Sequence, residues 1–296
     1  MSNKDNKIKG MVMIQGTSSH AGKSTIAAAL CRLLGRETET SPFKGWNMSQ
    51  HFWKLNNGRV AGVGQALQAI AAGIIPKETM NPLLLKPLPG GNSELLVNGE
   101  IHQGKIPDNK EEYTRWGMEI IKSSLLEMQK KYNVIIMEGA GSPAEINMKD
   151  RDLANMKVAS LFRTPVILVA DIERGGAFAS LVGTMELLPS KERELIAGFI
   201  INKFRGQKET LKPGLNFLES RTGKPVLGVM PYVEDINLPE EDILFGENEK
   251  TNDFQDYNTG RNEEILSDLD RLAEKFKTNV NLQKIKEIIK DGYWKD

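Results

Sequence analysis

Cysteine is nearly absent. Cys31 stands alone among 296 residues, which excludes an internal disulfide framework and any CxxC metal site. The three histidines, His20, His51 and His102, are too few and too scattered for a zinc site. Net charge is also missing, with 39 Lys and Arg against 39 Asp and Glu. A broad nucleic-acid face needs basic excess, so no nucleic-acid partner is expected. No apolar run approaches the ~20 residues that span a bilayer, and no membrane association is expected. The first ten residues are polar and Lys-rich with no apolar stretch behind them, which reads against a signal peptide and for a cytoplasmic protein. No repeat of fixed period is visible. Hydrophobic residues at 40% supply a core large enough for one big α/β domain or two smaller ones.

Short β-branched runs alternate with longer helical patterns. Strands are expected at 11–15, 134–137, 165–170, 196–201 and 226–230, with one more just before Lys44. Helices are expected near 24–34, 111–131, 153–162, 177–188 and 210–221. Near-continuous apolar strands between helices imply an α/β fold, a mostly parallel sheet with helices on both faces. Ligands of such sheets collect at the carboxyl ends of the strands. Residues 41–104 differ, with Pro42, Pro76, Pro82, Pro87 and Pro89, a helical pattern at 62–72 and a strand-like 94–98. They read as a substrate-facing insertion in a domain spanning 1–244. Residues 245–261 are polar and read as a linker. A helical tail follows over 262–296, with Ile265, Leu269, Leu272 and Phe276 on one stripe.

The strongest chemical signal is Gly16, Thr17, Ser18, Ser19, His20, Ala21, Gly22, Lys23, Ser24 and Thr25, between a strand and a helix. That context suits a phosphate-binding loop. Backbone N–H groups and the helix N-terminus hold phosphate oxygens, Lys23 adds a point charge, and Ser24 offers a hydroxyl to Mg²⁺. Five residues, rather than the standard four, separate Gly16 from Gly22. Glu138 follows a strand and is placed to bind Mg²⁺, or else caps the next helix as a buried carboxylate. The glycines of Gly139-Ala140-Gly141-Ser142 let a backbone or substrate come close. Asp171 and Arg174 follow the next strand. Asp171 suits a metal or an incoming nucleophile and Arg174 a phosphate or carboxylate, against the alternative of a solvated helix-entry turn. Asn202 and Lys203 follow another strand and Pro231 the last. An Asn amide there pairs with a base edge or caps a turn. Lys44 either reaches the γ-phosphate or an anionic intermediate, or is a surface lysine. Cys31, on the helix after the loop, reads as a packed core residue.

The loop GTSSHAGKST, with its five-residue spacing, resembles the dethiobiotin synthetase-like branch of P-loop NTPases. Longer stretches, including SPFKGWNM, QALQAIAAG, MNPLLLKP, MEGAGSPAEINMKDRDLANM, VADIERGGAFASLVGT and INKFRG, resemble the synthetase domain of the cobyric acid synthases, over about residues 12–242. The resemblance implies an amidoligase using ATP and Mg²⁺. A substrate carboxylate attacks the γ-phosphate to give an acyl phosphate, and ammonia then displaces phosphate. It implies catalytic roles for Lys23, Lys44 and Asp171, metal ligation by Ser24 and Glu138, and substrate contacts by Asn47, Gln65, Lys86, Gly139, Ser142 and Arg174. The acceptor would be a corrinoid acid of the adenosylcobyrinic a,c-diamide type.

Two departures qualify that expectation. Those synthases carry a glutamine amidotransferase domain with a Cys nucleophile and a His partner, and no Cys or His follows residue 242 here. Ammonia is therefore expected free or from a separate glutaminase. A homodimer is a further expected assembly. Second, family patterns resembling FKAQNMALN and GEIGRAQ are interrupted by Trp46, Ser49, Gln50 and His51 and by Val60, Ala61, Val63 and Gly64. An altered acceptor is the corresponding expectation. A Min/Par-type ATPase switch is the rival reading, but Ser18 occupies the position of its signature lysine.

Overall fold

The computed structural model describes residues 8–234 and 262–292. The strands are β1 (Gly10–Gly16), β2 (Thr40–Phe43), β3 (Trp46–Met48), β4 (Phe52–Lys54), β5 (Val60–Gly62), β6 (Leu83–Pro87), β7 (Ser93–Val97), β8 (Glu100–Ile101), β9 (Val134–Glu138), β10 (Val166–Asp171), β11 (Ile196–Phe204) and β12 (Val226–Pro231). The helices are α1 (Lys23–Gly35), α2 (Val63–Ala71), α3 (Lys110–Gln129), α4 (Met156–Leu161), α5 (Ala177–Leu187), α6 (Ser190–Glu194), α7 (Lys212–Thr222), α8 (Asn262–Asn279) and α9 (Leu282–Asp291).

Six strands form one sheet in the order β12-β11-β10-β1-β9-β2, every neighbouring pair parallel. Alternation along each strand assigns its side chains to two cores. Val12 and Ile14 of β1 pack with α1, α2, α8 and α9 on one face. Met11 and Met13 pack with α3, α4, α5 and Leu218 of α7 on the other. Both faces are buried, which is why the strands read as unbroken apolar runs. From β1 the chain crosses to β2 and β9 on one side, then to β10 on the other. The crevice at that reversal, above β1, is where such sheets bind ligands.

Of residues 41–104, expected as an insertion, 41–43 belong to β2 of the main sheet, and the rest hold a four-stranded sheet, β3-β6-β7-β8, with the separate hairpin β4-β5. Val63, Leu67 and Ala71 of α2 nonetheless join the main core beside α1. The helix expected at 153–162 begins later, at Met156. The cause is Asp152, whose carboxylate accepts the backbone N–H groups of Ala154, Asn155 and Lys157 at 2.9, 2.6 and 3.0 Å. The linker expected at 245–261 lies outside the described residues.

The C-terminal stripe forms two helices rather than one. Asn281 interrupts it, its side chain capping α9 through the Lys284 N–H at 3.0 Å. Leu269, Leu272, Phe276, Ile285 and Ile289 are fully buried. Arg32 of α1 and Asp270 of α8 are paired at 2.5 Å. The tail thus completes the core beside the helix that follows the phosphate loop.

Candidate nucleotide and phosphoryl-transfer site

The loop of residues 16–25 leaves β1 and enters α1. Gly22 caps the helix with φ 96° and no side-chain cap, and the first turn carries no acidic residue. The first N–H groups of α1 therefore face an unneutralised positive end, the setting that holds an anion. Lys23 is 6% exposed. Its Nζ donates to the carbonyls of Ser18 at 3.1 Å and Gly141 at 3.3 Å. Phosphate oxygens are stronger partners for an ammonium than neutral carbonyls are.

Glu138, at the end of β9, is 1% exposed. Three groups converge on its carboxylate. Ser24 Oγ donates to Oε1 at 2.8 Å, Lys44 Nζ pairs with Oε1 at 3.2 Å, and Gln68 Nε2 donates to Oε2 at 2.6 Å. Burial pushes the Glu138 carboxyl up. The Lys44 ammonium, the two hydrogen bonds and nearby Lys23 more than offset that and hold it below its ordinary range. A charged carboxylate, a hydroxyl and two ammonium groups thus share one small volume.

The loop is pinned from β11. Asn202 Nδ2 donates to the Ala21 carbonyl at 3.0 Å, and Lys203 Nζ donates to the His20 carbonyl at 2.8 Å. Asp171 Oδ2 accepts the same Lys203 ammonium at 3.0 Å. A Cβ on Gly22 would lie 1.9 Å from Asn202 Nδ2, so glycine is required there by contact as well as by φ.

A cavity of about 340 Å³ opens above these groups. Ser19, His20, Gly22, Lys23, Ser24 and Thr25 line one side, with Lys44, Asn47 and Glu138 opposite and Asn202, Lys203 and Pro231 at the far end. Gly16, Thr17, Ser18 and Ala21 form the loop behind that lining. Asp171 also lies outside it; its carboxylate acts on the loop through Lys203. Gly139 and Ser142 sit behind Ala140 and Gly141, which do line the cavity. Gln65 is fully buried beside Asn47 and Asn81 around Gly62, not at the cavity wall. Lys86 and Arg174 are not brought in. Lys86 lies 4.0 Å from Glu94, and Arg174 lies 3.8 Å from Asp171 with a largely exposed side chain.

Several lining residues escaped sequence reasoning. Gln68 is the foremost, and its signal was a second glutamine, three residues after Gln65, inside an apolar helix. Trp46, Met48, Gly64 and Leu67 come from the insertion. Tyr232 follows Pro231 and carries the Arg205 guanidinium 3.6 Å from its ring centroid. Cys31 is fully buried and its thiol is pushed far up by burial, then by Glu138, so it supplies no nucleophile.

Residues 12–245 match the family model described as "CobQ/CobB/MinD/ParA nucleotide binding domain". The chain belongs to that family. A cobyric acid synthase of Trichormus variabilis is 48% identical over 235 residues, covering 79% of this chain and 48% of that protein. One from Desulforamulus reducens is 48% identical over 241 residues, covering 81% and 47%. The chain spans about half the length of the curated relatives it matches. A ParA family ATPase from Chlorobium tepidum superposes over 96% of this chain and 98% of its own at 14% identity, with a TM-score of 0.45. The family carries the phosphate-loop reading, so this is a P-loop nucleotide-binding domain. Among the described residues, no helix is long and apolar enough to cross a membrane.

Proposed function

We propose that this chain is an ATP-dependent carboxylate–amine ligase of the cobyric acid synthase type, amidating peripheral carboxylates of a corrinoid acid. The observation that carries the reading is the convergence of Lys23, Ser24, Lys44 and Glu138 on one cavity at the carboxyl end of the sheet. The family-wide likeness to cobyric acid synthases supports the choice of reaction.

The donor set fits Mg²⁺. Among the described residues no group of three or more His, Cys, Asp or Glu could hold a metal alone. Ser24 and Glu138 supply hard oxygen donors only, as suits an ion that takes its remaining ligands from water and phosphate. Mg²⁺ would supply charge neutralisation on the nucleotide phosphates.

The residues divide the work. The loop N–H groups and α1 hold the phosphates, and Lys23 turns from the Ser18 and Gly141 carbonyls to phosphate oxygen. Lys44 reaches from Glu138 toward the same region and steadies the incoming carboxylate and the acyl phosphate it becomes. In that step a carboxylate oxygen bonds the γ-phosphorus and ADP leaves. Ammonia then attacks the acyl carbon, phosphate departs and a proton is released. Positioning contributes most, since reactants held in register need no further ordering. Ammonia would come from solution or from a glutaminase, and the enzyme would work in the cytoplasm.

The test is mass spectrometry of mixtures containing ATP, Mg²⁺, ammonium and adenosylcobyrinic a,c-diamide. Successive replacements of OH by NH₂ support the reading. ATP hydrolysis with no amide on any corrinoid acid tried contradicts it.

A further inference from the structure

Asn155 lies just before α4 and far in sequence from the phosphate loop, yet it grips the turn that follows Glu138. Its Nδ2 donates to the Ala140 carbonyl at 2.6 Å and approaches the Ser142 carbonyl at 3.5 Å. The amide can face only one way, because the opposite orientation would set Oδ1 against two carbonyl oxygens. Oδ1 is buried without a hydrogen-bond partner among the described residues. It rests against Gly139, where a Cβ would come within 2.2 Å of it. Asn155 is itself fixed, its backbone N–H held by Asp152 at 2.6 Å.

The grip has a consequence across the turn. In a trans peptide the C=O of one residue and the N–H of the next point in opposite directions. Drawing the Ala140 carbonyl toward Asn155 therefore turns the Gly141 N–H away from Asn155, and Ala140 and Gly141 both line the cavity. Gly141 sits at φ 56°, a conformation glycine adopts freely. Its own carbonyl meets Lys23 Nζ. The turn thus carries one backbone N–H close to Lys23.

We infer that Asn155 is a positioning residue for the terminal phosphoryl group, acting through the Gly141 peptide and distinguishing a triphosphate from a diphosphate. This rests on the nucleotide reading of the cavity but not on the identity of the acceptor acid. Asn155→Asp keeps the shape while setting a carboxylate oxygen against the Ala140 carbonyl, which turns that peptide over.

The test is calorimetric titration of the full chain with Mg-ADP and with the non-hydrolysable triphosphate Mg-AMPPNP. Asn155→Asp should weaken AMPPNP about tenfold, the scale of one lost hydrogen bond, and change ADP by less than about twofold. Should that variant not fold, Asn155→Ala, which removes the side-chain donor without adding charge, is read the same way. Equal weakening of both nucleotides, unchanged AMPPNP affinity, or failure of both variants to fold would overturn the inference. Wild-type protein that binds neither nucleotide would overturn the nucleotide reading itself.

Discussion

Lys44→Met removes the ammonium that faces Glu138 and leaves a carboxylate of 1% exposure with fewer partners. Breaking a buried ion pair on one side costs about 3–5 kcal/mol. Ser24 and Gln68 still donate to Glu138, so the lower figure, about 3 kcal/mol, applies. For a chain of this size that lowers the melting temperature by about 6–12 °C. In the wild type the Glu138 pKa is depressed, so its contribution is present above the unfolded-state value and is lost only as pH falls through the folded one. Without Lys44, the largest contribution opposing burial is gone and the pKa moves upward. The deficit of Lys44→Met relative to wild type should then be largest on the alkaline side and shrink on acidification, as Glu138 takes up a proton. Adding Glu138→Gln should recover most of the loss, giving a positive coupling energy in the double-mutant cycle. Urea unfolding of the four proteins across a range of pH measures all of this. A deficit independent of pH, or a double variant no more stable than Lys44→Met, would refute the argument.

Other perturbations follow from the loop and the tail. Gly22→Ala places a methyl 1.9 Å from Asn202 Nδ2 at φ 96°. Strain plus the lost hydrogen bond, together about 2–3 kcal/mol, should weaken ADP and ATP alike by more than about tenfold in equilibrium titration. Lys203→Met cuts the link between Asp171 and the His20 carbonyl. Both nucleotides should then bind several-fold more weakly, with kcat changed less than KM, and a loss confined to kcat would make Asp171 a reacting group instead. A chain ending at residue 261 loses Leu269, Leu272, Phe276, Ile285 and Ile289 from the core. At about 1.5–3 kcal/mol for each buried side chain, the loss reaches the whole stability of a typical domain. That chain should be recovered without a cooperative melting transition.

The parallel strands were legible because both faces of the sheet are covered, so each central strand is a continuous apolar run ending in a polar residue such as Glu138 or Asp171. Of these ends, Glu138 lines the cavity. Reach and partnership were not legible. Asp171 and Lys203 stand at the ends of adjacent strands, and only the fold shows that they meet and that the lysine continues to the loop. Lys86 and Arg174 carry suitable charges, but β6 and the turn after β10 direct them away from the cavity. Strands β3, β4 and β5 are three residues each, too short for any periodicity to register. The late start of α4 depends on a side chain, Asp152, capturing backbone N–H groups in competition with the helix. Asn155 shared that fate, since its role depends on a turn more than ten residues earlier in the chain.

A carboxylate that attacks the terminal phosphoryl group in this cavity must leave one of its oxygens on phosphate. This is tested most directly with a corrinoid acid labelled with ¹⁸O in its carboxylates, turned over with ATP, Mg²⁺ and ammonium. Each amide formed should deliver one labelled oxygen to the released phosphate, and Lys23→Ala should abolish the transfer. Amide formation with unlabelled phosphate, or label transfer that survives Lys23→Ala, would contradict it.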